Sequence, residues 1–306
     1  MRTRRSLIDL DDLTADEIVA ILDRTGALER TRAHERLRGH TCVNMFFEQS
    51  TRTYTSFNLA ELRMGADVVN LSPGSLSLAT KGESIEDTAI TLSAMGVDVL
   101  VLRHPEGGFP ARVARSFDGH VINAGDGIAA HPTQALLDLY TLRREFGNVR
   151  GRRVAIVGDV AHSRVARSSI SGLRTLGALV TLVGPPELLP DALAQDGVEI
   201  ERDFDRAIGT VDAIILLRLQ RERFGRMEIS DDEYVARYRL DARRLARVRP
   251  ETIVMHPGPY NRGMELDDSV LKYTGWRYAQ QVMHGVPVRM AVLDFLVNGA
   301  DSFAAC

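Results

Sequence analysis

Cys42-Val43-Asn44-Met45-Phe46-Phe47-Glu48-Gln49-Ser50-Thr51-Arg52-Thr53, followed by Tyr54-Thr55-Ser56-Phe57-Asn58-Leu59-Ala60-Glu61-Leu62, is the stretch whose reading decides the fold. Its apolar first part, with Cys42, Val43, Met45, Phe46 and Phe47, reads as a buried parallel strand. From Thr53 to Leu62 the spacing turns helical, with Phe57, Leu59 and Leu62 on one side. Ser50 to Thr53 therefore fall at a helix N-terminus, where unpaired N–H groups and the positive dipole end favour a phosphate. Arg52 adds a fork able to make bidentate, charge-assisted hydrogen bonds. The plainer alternative, a serine cap beside a solvated arginine, stays open on this stretch alone.

The same strand-to-helix rhythm runs through both halves. Strand candidates are 42–47, 67–71, 98–102 and 120–123, then 153–157, 179–183, 198–201, 212–217 and 252–255. Helical spacing occupies 84–95, 132–145, 164–176 and 187–195, and a long final pattern covers about 282–297. Alternation of this kind predicts an α/β protein of two doubly wound parallel-sheet domains joined by interdomain helices. The break falls in or just after the helix that begins at Pro132, because Gly147-Asn148-Val149-Arg150-Gly151 is turn-rich.

Composition narrows the class. With 306 residues, 44% hydrophobic and 26% charged, the chain is long enough for two cores and ordinary for a globular enzyme. A net charge of -3 provides no basic field for nucleic acid. No apolar run approaches the ~20 residues of a membrane helix, and the N-terminal residues lack a signal peptide's apolar stretch, so a cytoplasmic location is expected. Two cysteines, Cys42 and Cys306, argue against a disulfide framework or a cysteine metal site. Lys81 and Lys272 are the only lysines among 38 basic residues. A lysine in the Ser/Gly-rich loop around Lys81 suggests a site that wants a compact ammonium, against chance retention on a surface loop.

Ligands in open α/β sheets bind beyond the carboxyl ends of the strands, so the residues after each apolar run carry the information. Five such turns are polar: Arg103-His104-Pro105, His131-Pro132-Thr133-Gln134, His162-Ser163-Arg164, Arg218-Leu219-Gln220 and His256-Pro257-Gly258-Pro259. Each alone could be a cap or a salt-bridge partner; five in series point to a site that holds anions and stabilises developing negative charge. H-E-x-x-H, G-x-S-x-G and G-x-x-x-x-G-K-[ST] are absent, which argues against zincin, α/β-hydrolase and P-loop chemistry. Val157-Gly158-Asp159 lacks the further glycines of a dinucleotide turn.

Taken together, FFEQSTRTYTSF, SLATKGES, LRHP, NAGDGIAAHPTQALLD, GDVAHSRVARS, LRLQRERF, MHPGPYNRGMEL and HGVPVRMAVL resemble the catalytic chains of the aspartate/ornithine carbamoyltransferase family, on its aspartate side. The resemblance runs nearly end to end. It implies transfer of a carbamoyl group from carbamoyl phosphate to L-aspartate in pyrimidine biosynthesis, with no metal or organic cofactor. It further implies a carbamoyl-phosphate-binding domain, 1–133 with a C-terminal helix at about 288–306, and an aspartate-binding domain, 134–287. Carried over by position, Ser50, Thr51, Arg52 and Thr53 would hold the phosphate, while Arg103, His131 and Thr53 would polarise the carbonyl. Gln134 would orient the carbamoyl amide. Arg164, Arg218 and Gln220 would grip the two carboxylates of aspartate, and Pro257 and Gly258 would offer backbone carbonyls. Ser77 and Lys81 would arrive from a neighbouring chain of a homotrimer. Whether a regulatory chain or a dihydroorotase partner joins the assembly stays open, and neither nucleic acid nor membrane is expected.

Three positions depart from common members: Thr80 before Lys81, Gly258 inside the H-P-x-P turn, and His284 before Gly285. An ornithine carbamoyltransferase is the nearest alternative. Its substrate carries a side-chain ammonium that would suit the Arg164 and Arg218 pair poorly, and the cysteine of its H-C-L-P turn is absent at His256 to Pro259. A non-catalytic, carbamoyltransferase-like scaffold subunit is the alternative from another class; it would have no use for Arg52, Arg103, His131 and Lys81 together.

Overall fold

A computed structural model describes residues 5–30, 34–72, 74, 82–194, 197–220 and 229–299. The chain divides into two units, Met1–Tyr140 with Val282–Cys306, and Thr141–Gln281.

In the first unit four parallel strands, β1 (Thr41–Phe46), β2 (Asp67–Leu71), β3 (Val99–His104) and β4 (His120–Asp126), stand in the order β2-β1-β3-β4. Central β1 is buried from Cys42 to Met45, as a parallel strand covered on both faces must be. β2, at the edge, is largely exposed. Helices α1 (Ala15–Leu28), α2 (Thr51–Arg63), α3 (Ile85–Ala94) and α4 (Phe109–Ser116) belong to this unit. A core of Val43, Met45, Leu100, Leu102, Val113 and Val121 lies where α3 and α4 meet the sheet. Burying each such side chain contributes roughly 1.5 to 3 kcal/mol.

The second unit has five parallel strands, β5 (Arg153–Val157), β6 (Leu179–Val183), β7 (Val198–Glu201), β8 (Ala213–Leu216) and β9 (Ile253–Met255), in the order β7-β6-β5-β8-β9. Between β5 and β6 runs α6 (Arg164–Thr175), while α5 (Pro132–Phe146) precedes β5. Shorter helices are α7 (Phe204–Ala207), α8 (Asp231–Tyr238), α9 (Ala242–Leu245) and α10 (Asp268–Leu271). The last helix, α11 (Tyr278–Asn298), ends in the first unit. There its buried Asp294 takes Arg24 Nε of α1 at 3.2 Å and Arg36 Nε at 2.7 Å.

The nine strands fall where the apolar runs predicted them. The helix expected at 187–195 does not form. Pro186–Leu188 and Asp191–Leu193 are separate 3-10 turns, because Pro190 falls inside the expected span, where it has no N–H to bond back one turn and keeps Leu189 out of the helical region. Among the described residues no helix is long and apolar enough to cross a membrane.

Each sheet reverses its winding once: between β1 and β3 in the first, between β5 and β8 in the second. Crevices for ligands form beyond the carboxyl ends of strands at such switch points.

Candidate active site

The stretch expected to cradle an anion lies at the first switch point. β1 ends at Phe46, whose register partner is Arg103 at the end of β3, and Phe47 N–H donates to Arg103 O at 2.8 Å. Ser50 is the N-cap of α2 in extended conformation, and its side chain makes no capping bond, so the first-turn N–H groups are left for a ligand. Thr51 and Arg52 are exposed and Thr53 is buried. Among the described residues no carboxylate pairs with Arg52. Ser50 offers the hydroxyl expected of a cap but leaves it unused, and the first turn holds Arg52 and no acidic residue, the reverse of what would stabilise the helix by itself.

Arg103 is fixed by its backbone and by its partners. Nη1 donates to Ala124 O at 3.3 Å, and Nε lies 3.3 Å from Glu48 Oε2. His131 and Gln134, nearly buried, open α5 directly after β4 and its turn. Gln134 Nε2 donates to Asp138 Oδ1 one turn on, at 2.9 Å. Arg289 is a residue the sequence reading missed. It is buried on α11, lies with its guanidinium carbon 5.0 Å from the Phe57 ring centre, and donates from Nη1 to Gly285 O at 2.9 Å. Burial, and secondarily the like charge of Arg103, pulls its pKa down to about 9, while Asp138 opposes the shift. The signal available was a single charge inside the apolar helical pattern VPVRMAVL.

The second switch point carries three turns. After β5, Gly158 has φ +121, and a Cβ there would meet Leu217 O and Tyr234 Oη at 3.0 Å each, so only glycine lets the end of β5 approach the end of β8 this closely. Buried Asp159 accepts from His162 N at 3.2 Å, from His162 Nδ1 at 2.8 Å and from Gln220 N at 3.2 Å. Ser163 caps α6 through Ala166 N–H, which sets Arg164 as the first helical residue, 7% exposed. After β8 burial alternates: Leu217 and Leu219 are buried, Arg218 and Gln220 partly exposed. Gln220 Nε2 donates to His162 O at 3.0 Å. After β9, His256 N–H donates to Gln281 Oε1, and Gly258 N–H donates to His256 Nδ1 at 2.8 Å with Gly258 at φ +66.

Ser50, Thr51, Arg52, Thr53, Arg103, His131 and Gln134 thus lie in the first unit, and Arg164, Arg218, Gln220, Pro257 and Gly258 in the second. Ser77 and Lys81 lie outside the described residues. Among the described residues no group of three or more His, Cys, Asp or Glu could hold a metal ion.

Two parallel sheets that each present arginines and amide donors at the point where winding reverses define an α/β enzyme that handles anionic small molecules. The chain matches the aspartate/ornithine carbamoyltransferase carbamoyl-P binding domain over residues 5–144 and the Asp/Orn binding domain of the same family over residues 150–296, and it belongs to that family. It is 49% identical over 303 residues to the aspartate carbamoyltransferase catalytic subunit of Acidothermus cellulolyticus, covering 97% of this chain and 94% of that one. To the corresponding subunit of Thermobifida fusca it is 50% identical over 300 residues, covering 96% of each. Among solved structures, aspartate transcarbamoylase from Trypanosoma cruzi in complex with carbamoyl aspartate and phosphate superposes with a TM-score of 0.87 at 32% identity, over 95% of both chains. The catalytic subunit of M. jannaschii aspartate transcarbamoylase gives 0.84 at 33% identity, over 96% of this chain and 98% of that one.

Proposed function

We propose that this chain transfers the carbamoyl group of carbamoyl phosphate to the amino group of L-aspartate, giving N-carbamoyl-L-aspartate and phosphate, a step of pyrimidine biosynthesis. The observation that carries this reading is that each sheet has an arginine-bearing turn at its switch point, Ser50–Thr53 with Arg103 in one and Arg164 with Arg218 in the other.

At the first, the α2 N–H groups and Arg52 hold the phosphate. Arg103, His131 and Thr53 donate to the carbonyl oxygen. Because Gln134 Nε2 is engaged by Asp138, its Oε1 is left to accept from the carbamoyl NH2 and orient it. At the second, Arg164, Arg218 and Gln220 grip the two carboxylates, and the backbone carbonyls of Pro257 and Gly258 receive amino N–H groups. The neutral amine attacks the carbonyl carbon and a C–N bond forms. Donors already in place stabilise the oxyanion without reorganising, which is where most of the acceleration arises. The C–O bond to phosphate then breaks, and the departing phosphate takes the proton released by the amine.

A homotrimer in the cytoplasm completes the reading, with Ser77 and Lys81 supplied by a neighbouring chain. The test is direct: purified chain, carbamoyl phosphate and L-aspartate should yield carbamoyl aspartate and equimolar phosphate. Turnover of ornithine instead, or of neither amine, would overturn the proposal.

A further inference from the structure

We propose that Glu265 is a positioning residue for the aspartate half-site, one carboxylate that holds two substrate loops in register; this rests on the reading of Arg218, Gln220, Pro257 and Gly258 given above. Glu265 lies in the segment between β9 and α10 and is 1% exposed. Oε1 accepts from Leu219 N–H at 2.9 Å and from Asn261 Nδ2 at 3.1 Å, and Oε2 accepts from Asn261 N–H at 2.6 Å. Both lie in loops assigned to substrate: Leu219 stands between Arg218 and Gln220, and Asn261 closes the turn that begins His256-Pro257-Gly258.

The consequence for Arg218 follows from the local chain. Leu219 is pinned twice, by its side chain in the core and by its N–H on Glu265. With the neighbours of Leu219 alternating in burial, a fixed Leu219 turns Arg218 and Gln220 outward together. Asp159 makes the complementary tie, joining Gln220 N–H to the His162 turn. Two buried carboxylates therefore sew three loops together: Asp159 the first to the second, Glu265 the second to the third.

Among the described residues no cation pairs with Glu265; its partners are N–H donors. A buried carboxylate that accepts three donors and faces no cation contributes geometry rather than an ion pair, and burial raises its pKa although those hydrogen bonds oppose the shift. Its backbone has a separate job, since Leu240 N–H donates to Glu265 O at 3.0 Å, so substitution of the side chain leaves that link standing.

The experiment compares full-length wild type with Glu265→Gln and Glu265→Ala. Glutamine keeps the volume but turns an NH2 toward one of the N–H donors, which breaks one loop tie. Losing one such hydrogen bond predicts a rise of about tenfold in the KM for aspartate, with the KM for carbamoyl phosphate within about twofold of wild type. Calorimetric binding of succinate, a dicarboxylate without the amine, should weaken by a similar factor. Asn261→Ala, which removes one donor and leaves the carboxylate, should shift aspartate alone and by less, and it decides the question if neither Glu265 variant folds. A folded Glu265→Gln with unchanged aspartate KM and succinate affinity overturns the inference. So does an equal rise in both substrates' KM with a falling melting temperature, the mark of a merely structural residue. Wild-type failure to use aspartate, with succinate binding still dependent on Glu265, would sink the proposed activity while the positioning role stood.

Discussion

Gln134 Nε2 donates to Asp138 Oδ1 at 2.9 Å, which fixes the direction of the Gln134 amide from within the same helix. In the proposed mechanism that leaves Oε1 for the carbamoyl group. Gln134→Ala should then lower kcat/KM for carbamoyl phosphate about tenfold, the value of one neutral hydrogen bond. Gln134→Glu should be worse than alanine, because it sets a second carboxylate against Asp138. Steady-state kinetics of the two variants would contradict the assignment if glutamate were the milder change.

Arg218 is expected to act on the second substrate. Arg218→Ala should raise the KM for aspartate by roughly 10- to 150-fold, corresponding to about 1.5 to 3 kcal/mol for a hydrogen bond to a charged group. The carbamoyl phosphate KM should change far less. Equal effects on both substrates would show that Arg218 does not belong to the carboxylate grip.

Glu61 gives a pH dependence of stability. It is fully buried on α2 and accepts from Asn44 Nδ2 of β1 at 2.7 Å, and burial raises its pKa to about 8, with the Asn44 bond opposing. The folded state keeps a proton that the unfolded chain releases near 4.5, so folding stability is fullest below about 4.5 and falls as pH rises to about 8. The loss is at most about 5 kcal/mol, taking ~1.4 kcal/mol per pKa unit. Glu61→Gln should remove this slope and be the more stable protein at pH 9. Urea titrations at pH 5, 7 and 9 that give wild type and variant the same slope would rule this out.

The proposed sharing of the site between chains of a homotrimer predicts complementation. Arg52→Ala and Lys81→Ala homotrimers should each be nearly inactive, because every site lacks one cation facing the phosphate. Hybrid trimers reassembled from both should regain a substantial fraction of activity, since a cyclic ring brings some intact Arg52 sites against intact Lys81 loops. Hybrids verified by mass that stay inactive would place Lys81 outside a neighbour's site.

Much of this fold was written in the sequence, because fully buried parallel strands are unbroken apolar runs and the polar turns after them are abrupt. Strand order was not. That β1 adjoins β3 rather than β4 depends on how helices cover the sheet, so the switch points emerged only with the topology. The 187–195 helix failed because Pro190 interrupts it, which outranks its apolar spacing. Helix α1 went unassigned although its capping box, Thr14 with Glu17, is legible as T-A-D-E. Glu265 was illegible for another reason: it acts on the backbone N–H of Leu219, far away in sequence, and such a tie leaves no local pattern. Arg289 and Asp138 do leave local signs, a charge in an apolar helix and an i,i+4 pair with Gln134, but ordinary helices carry the same signs.

The central claim is that both half-sites act on one pair of substrates, and a ligand that joins their chemistry tests it most directly. N-(phosphonacetyl)-L-aspartate carries a phosphonate and both aspartate carboxylates on one molecule. Titration calorimetry should find it bound far more tightly than phosphate or succinate alone, with both Arg52→Ala and Arg218→Ala weakening it by at least about tenfold. If either substitution in a folded protein left that affinity unchanged, the two half-sites would not serve one reaction, and the account would be wrong.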